Sequence, residues 1–218
     1  MKNLMRSQFG HPHGILGHLV GWAMSIENKE RNEWVVKQLP VRKDSRVLEI
    51  GFGPGVALSC LAQRVEEGEI VGVDSSAIMV AQASHRNADN IRKGRVRLIH
   101  GTVEEMTDDD GLFDVIFSVN TLGRHQELTE GLNRLQAKLK PGGTLVIAHQ
   151  SPTKQSIEQL ESYRRDIHRA MAAVGFADFQ ILQKEMKRQP ICLIMGRTPA
   201  KVDSSESTLK AKEGSVVE

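Results

Sequence analysis

Residues 47–58, Val47-Leu48-Glu49-Ile50-Gly51-Phe52-Gly53-Pro54-Gly55-Val56-Ala57-Leu58, decide the fold. The stretch reads as an apolar strand carrying one carboxylate, then glycines at alternate positions, then the start of a helical apolar pattern. Such a strand–turn–helix lets a ligand lie against the backbone where side chains would clash. The dinucleotide fingerprint is Gly-x-Gly-x-x-Gly, with a pyrophosphate on the helix N-terminus. Here the third glycine comes one residue early, at Gly55, and Val56 follows it. Glu49, two residues before the first glycine, suits a cationic ligand better than a diphosphate. Without a ligand, the stretch would be a glycine-rich βα turn and nothing more.

The residues that follow extend the pattern. Ile70-Val71-Gly72-Val73-Asp74 is a short apolar run ending in an acid. In nucleotide-binding α/β folds an acid about twenty residues after the glycines accepts hydrogen bonds from ribose hydroxyls. Val96–Gly101 predicts a third strand with a glycine at its end, and Phe113–Val119 a fourth, followed by Asn120. Leu139-Lys140-Pro141-Gly142-Gly143 reads as a helix end and a turn, leading into a fifth strand over 144–149. Helices are expected over 54–65, 76–86 and 125–138. Strands alternating with helices make a parallel sheet covered on both faces. A long helix over 155–174 and two strands, 176–183 and 191–196, complete the pattern.

Glu49-x-Gly51-x-Gly53-x-Gly55, Asp74 and Leu-Lys-Pro-Gly-Gly before strand five, in this order, resemble the class I S-adenosylmethionine-dependent methyltransferases. The resemblance covers roughly residues 40–199. It implies an α/β fold with a doubly wound, seven-stranded, mostly parallel Rossmann-like sheet. Strand seven would be antiparallel and slotted between five and six. It also implies S-adenosylmethionine as cofactor and S-adenosylhomocysteine as product. Gly51, Gly53 and Gly55 would lie under the amino acid and ribose, with Glu49 biasing the field towards the ammonium. Asp74 would take the ribose hydroxyls, and Ser75 would border the adenine. Thr102 and Val103 would flank the adenine edge, and Asn120 would face the methionine moiety. Many relatives carry an acid where this chain has Thr102; Glu104 follows two residues later.

The reaction implied is in-line displacement at the methyl carbon, for which the protein positions a nucleophile and excludes water. A general base is needed only if the nucleophile arrives protonated. His125, on the loop after strand four, is the candidate; like His149 at the end of strand five, it also reads as an ordinary packing or hydrogen-bonded histidine. Residues 1–40 form an expected N-terminal helical cap, in which Phe9, His11 and Trp22, together with His149, would line the acceptor. Its second helix, 27–39, turns Trp34, Val35 and Leu39 inward. The expected methyltransferase domain is 41–199, and the polar 200–218 reads as a disordered tail.

Several acceptors are argued against. Base-amino methyltransferases carry Asn/Asp-Pro-Pro-Tyr/Phe after strand four, where this chain has Asn120-Thr121-Leu122-Gly123. Catechol-type enzymes hold a divalent metal through Asp-Asn after strand five, where this chain has His149-Gln150, and no Cys/His cluster suits zinc. The expectation is therefore no metal and a small-molecule acceptor, methylated on N, O or C. The order of motifs is similar to the quinone-biosynthesis methyltransferases.

The chain has 218 residues, a net charge of +2 and two cysteines, Cys60 and Cys192. That length suits one domain. The small charge without a dense Lys/Arg block gives no reason to expect nucleic acid. The cysteines, both in apolar runs, read as free thiols of a reducing cytoplasm. Residues 15–26 are apolar but too short to span a bilayer and are interrupted by His18, so no stable membrane insertion is expected. Lys2 and Arg6 precede them, but no small-residue cleavage site follows, which argues against a signal peptide. A homodimer is left open. Two further readings stay in view: a methyltransferase-fold protein that binds the cofactor as a sensor or partner subunit, and a nicotinamide-dependent oxidoreductase. Gly55 and the absence of a Tyr-x-x-x-Lys pair speak against the latter.

Overall fold

The computed structural model describes residues 29–121, 128–151, 157–187 and 189–200. Seven strands form one sheet: β1 Arg46–Ile50, β2 Glu69–Asp74, β3 Val96–His100, β4 Phe113–Val119, β5 Leu139–Gln150, β6 Ala177–Lys184 and β7 Ile191–Arg197. Their order is β3-β2-β1-β4-β5-β7-β6. β7 pairs antiparallel with both β5 and β6, and the other pairs are parallel. This is the expected doubly wound sheet, with the antiparallel strand where the resemblance put it.

The helices among the described residues are α1 Lys29–Gln38, α2 Val56–Leu61, α3 Ala77–Arg86, α4 Ala88–Arg92, α5 Leu128–Ala137 and α6 Ile157–Ala173. Side chains alternate along each strand, so the sheet separates two cores. One face packs Val47, Val115 and Val146 against Val35 of α1, Leu39 just beyond it, Leu58 of α2 and Ala83 of α3. The other packs Leu48, Ile116 and Ile147 against Leu132 and Leu135 of α5 and Tyr163 and Ile167 of α6. The near-continuous apolar strands suit a sheet buried on both faces.

Three local expectations are corrected. α2 is shorter than 54–65, because Gly55, at φ 76, caps it from the left-handed region and the chain passes from Ala62 into turns. β5 begins at Leu139, before the Pro-Gly-Gly turn. Leu139 pairs with Phe113, and the register then shifts so that Thr144 faces Val115. Pro141 and its glycines thus occupy a bulge, where a missing N–H costs no ladder bond. Finally, α4 falls where no element was expected.

Three residues of the expected cap lie in the first of these cores. Val35, Val36 and Leu39 are at most 2% exposed. The Arg64 guanidinium donates to the carbonyls of Val36 and, at 3.2 Å, of Leu39, satisfying the last carbonyls of α1. Lys184 pairs with Glu30 at 3.5 Å. Residues 1–28, which hold Phe9, His11 and Trp22, and residues 201–218 of the expected tail lie outside the described residues.

At the amino ends of the strands Glu69 bridges Arg46 at 2.7 Å and Arg97 at 3.2 Å, and Arg97 reaches Asp110 at 2.9 Å. Burial pushes the Glu69 and Asp110 carboxyls up, but their guanidinium hydrogen bonds outweigh it and hold both below the ordinary range. This network lies at the end of the sheet opposite the glycine turn.

Candidate functional site

In an open α/β sheet the crevice forms outside the carboxyl ends of the strands, where the strand order reverses. Here the reversal lies between β1 and β4, and the glycine turn leaves β1 there. Gly51, Gly53 and Gly55 all have positive φ, at 68°, 54° and 76°, but they serve different purposes. A Cβ on Gly55 would meet Asn87 Nδ2 at 2.7 Å and Ala83 Cβ at 2.8 Å. One on Gly53 would meet nothing within 4 Å. Gly55 is therefore small because the protein is close, while Gly53 faces open space. Phe52 turns the other way, 4% exposed in the core, and anchors the loop over Gly72.

Two side chains from elsewhere tie the turn down. Gly53 N–H donates to Asp74 Oδ2 at 2.8 Å, and Ser76 N–H donates to Asp74 Oδ1 at 2.9 Å. The acid at the end of β2 thus fastens the turn after β1, a structural duty its sequence context does not reveal. The Asn87 amide donates to the carbonyls of Gly55 at 3.1 Å and Ala83 at 3.0 Å.

Glu49 is 3% exposed, and its Oε2 has no hydrogen-bond partner among the described residues. An orphaned buried acceptor of this kind costs about 1–3 kcal/mol, more if charged. Burial, and then the nearby Asp74 charge, raise the Glu49 carboxyl well above its ordinary 4.5, while Arg31 pulls it down. Arg31 stands on α1. Burial lowers its guanidinium to about 10, against the opposing effect of Glu49. Its Nη1 donates to Gln150 Oε1 at 3.4 Å, and its Nε is buried without a partner among the described residues. Gln150 N–H in turn donates to Asn120 Oδ1 at 2.7 Å. Asn120 is held at φ 61° at the end of β4, and Thr121 lies against Gly51.

The raised Glu49 carboxyl has a consequence for stability. The folded protein keeps a proton that the unfolded chain releases near pH 4.5. Its contribution is therefore full below that pH and is lost as pH rises towards the raised value. Glu49→Gln should flatten the decline in melting temperature as pH rises above 4.5. An equal decline in mutant and wild type would mean that Glu49 ionises in the folded state as easily as in water.

The remaining expected residues fall as follows. Ser75 is exposed, and its carbonyl faces His100 Nε2 at 3.2 Å. Thr102 N–H donates to Glu105 Oε2 at 2.7 Å, and Thr102 and Glu105 form a reciprocal capping box. The acid that engages this segment is thus Glu105. Val103 is half-buried against the second core. His149 stacks on Tyr163, ring centroids 4.1 Å apart, on the sheet face opposite Glu49; this placement favours its packing role. His125 lies outside the described residues. Among the described residues no group of three or more His, Cys, Asp or Glu could hold a metal ion. Nor is any described helix long and apolar enough to cross a membrane. Cys60 and Cys192 are free thiols, and burial pushes Cys192 up to about 11.

Arg31, Gln150, Asn87, Thr121 and Glu105 were not singled out by the sequence. Two of them left a signal: Arg31 precedes Val35 and Leu39 at intervals of four, so it rides the inward face of α1, and Glu105 stands three residues after Thr102, the capping-box spacing.

This fold and crevice define a Rossmann-like methyltransferase. Residues 47–143 match a family described as a methyltransferase domain. The chain is 30% identical over 183 residues to the uncharacterized methyltransferase YdaC of Bacillus subtilis, covering 84% of this chain and 99% of that protein. It is 28% identical over 136 residues to a demethylmenaquinone methyltransferase of Staphylococcus aureus, covering 62% of this chain and 55% of the relative. The structure of Haemonchus contortus phosphoethanolamine N-methyltransferase 2 in complex with S-adenosyl-L-methionine superposes with a TM-score of 0.59 at 19% identity, over 78% of this chain and 52% of that one. The chain belongs to the class I S-adenosylmethionine-dependent methyltransferases and is a methyltransferase enzyme.

Proposed function

We propose that the chain binds S-adenosylmethionine in the crevice above Gly53 and methylates N, O or C of a small-molecule acceptor, leaving S-adenosylhomocysteine. The observation that carries this reading is the open cradle at Gly53, flanked by Asp74 and by the orphaned Glu49 carboxyl. The Asp74 carboxylate beside this cradle repels a diphosphate and attracts a cation, and an arriving ammonium favours release of the Glu49 proton. The Haemonchus relative's complex with S-adenosyl-L-methionine supports the same cofactor. When bound, that cofactor supplies a methyl carbon made electrophilic by its sulfonium.

The chain's own residues bind and orient. Each Asp74 oxygen spends one lone pair on a backbone N–H and keeps another for the ribose hydroxyls. Glu49 takes the ammonium, and Asn120, its carbonyl oxygen already engaged, offers its amide N–H groups to the methionine end. Ser75, Thr102 and Val103 border the adenine. Phe9, His11, Trp22 and His125 are the residues proposed for the acceptor side.

The test is incubation with methyl-labelled S-adenosylmethionine and a metabolite extract. Transfer of label to an acceptor is expected. Tight binding of S-adenosylhomocysteine without transfer to any acceptor would favour a sensor or partner subunit. Absence of binding by calorimetry would overturn the reading altogether.

A further inference from the structure

β6 ends the sheet, and among the described residues no strand pairs with its outer edge. The two ends of the sheet differ. β3, at the far end, is largely half-buried and packs against α3 and α4. No residue of β6 is fully buried, whereas every residue of its neighbour β7 before Arg197 is. Ile181 of β6 is the one large apolar strand residue left exposed among the described residues, at 40%.

An open row of backbone N–H and C=O groups is a template for another strand, and proteins guard it with charges and bulges. β6 carries both guards, but only towards its ends. Asp178, at φ 52°, sits in the bulge where the register with β7 shifts, and Lys184 closes the strand. Between them Gln180-Ile181-Leu182-Gln183 is uncharged. The two charges are opposite in sign and stand at equal spacing on either side of Ile181. That symmetry turns guards against foreign strands into partners for an identical one.

We propose that a second copy of this chain occupies the edge, its β6 antiparallel to the first about a two-fold axis at Ile181. Residues opposed in an antiparallel pair share a face and feel each other's charge. The pairing sets Ile181 against Ile181, Gln180 against Leu182, Phe179 against Gln183 and Asp178 against Lys184. The axis repeats the charged pair, so it forms twice. An axis at Gln180 or Leu182 would lose both charged pairs. Ile181 lies beside Ile194 of the second core, so the α6 sides of the two copies adjoin. The contact of Lys184 with Glu30, 3.5 Å long between side chains 39% and 55% exposed, is a surface pair of little worth and does not hold Lys184 back. Because the copies run antiparallel, their crevices open at opposite edges of one continuous sheet, and each site works alone.

The test is sedimentation of the full chain over a concentration series. Wild type is expected to pass from monomer to dimer as concentration rises. Ile181→Lys sets like charges against each other on the axis and should weaken the dimer by about tenfold without lowering the melting temperature. Asp178→Lys and Lys184→Asp each create two repulsive pairs and should weaken it similarly. The double reversal should restore it, a rescue that a purely structural role of either residue would not give. A wild type that stays monomeric at every concentration would overturn the proposal and leave the edge to another segment of the same chain or to a different protein. A dimer that Ile181→Lys leaves intact, or that the double reversal fails to restore, would overturn it too. If Ile181→Lys fails to fold, the charge reversals carry the same test.

Discussion

Asp74→Ala is expected to lower affinity for S-adenosylhomocysteine by about a thousandfold, or ~4 kcal/mol. Loss of the ribose contact alone would cost about 1.5–3 kcal/mol, the usual value for a hydrogen bond to a charged group. The structure adds a second loss. Asp74 is also the acceptor for Gly53 N–H and Ser76 N–H, so the variant releases the turn and the start of α3 together. Asp74→Asn keeps the size but offers one oxygen and one NH₂. One of the two backbone donors would then face another donor, and the affinity should fall between wild type and alanine. Calorimetry with both variants checks this. A loss of about tenfold in Asp74→Ala, with no change in melting temperature, would mean that the turn stands without Asp74.

The second large effect separates two glycines that look alike in the sequence. Gly55→Ala should destabilise the fold by about 3–5 kcal/mol, combining about 1–2 for a left-handed residue with overpacking against the α3 backbone. Its Cβ would lie 3.0 Å from Ala83 Cα, which has no rotamer with which to move aside. Gly53→Ala should cost only the conformational part, about 1–2 kcal/mol, because its Cβ enters open space. Its methyl would instead occupy the proposed ligand's floor, so S-adenosylhomocysteine binding should fail while the protein stays folded. Thermal melts and calorimetry on the same two proteins test the split. Gly53→Ala protein that binds as well as wild type would place the ligand elsewhere.

The frame of the fold was open to sequence reading because its signals are local. Buried strands such as Val47–Ile50 and Ile70–Val73 are continuous apolar runs, and the alternating glycines mark backbone that ordinary residues avoid. Boundaries were less legible. α2 shortened because Gly55 is itself the cap, and β5 started early because Leu139 found Phe113 across the sheet. The second pairing is not written in the segment it alters. The position of β7 between β5 and β6 came from family resemblance, since apolar alternation says that a strand exists and nothing about its neighbour.

The sequence by itself determined the strand–turn–helix at 47–58, the acid after β2, the alternation of strands and helices, and hence the methyltransferase class. These depend on residues close together in the chain. Only the tertiary structure decided that Asp74 fastens the turn after β1, that Asn87 holds Gly55, and that the Arg31 Nε and Glu49 Oε2 are buried without partners among the described residues. Each depends on polar groups from different elements inside a low-dielectric crevice. Its energy depends on distance and burial, which residue type and spacing do not encode.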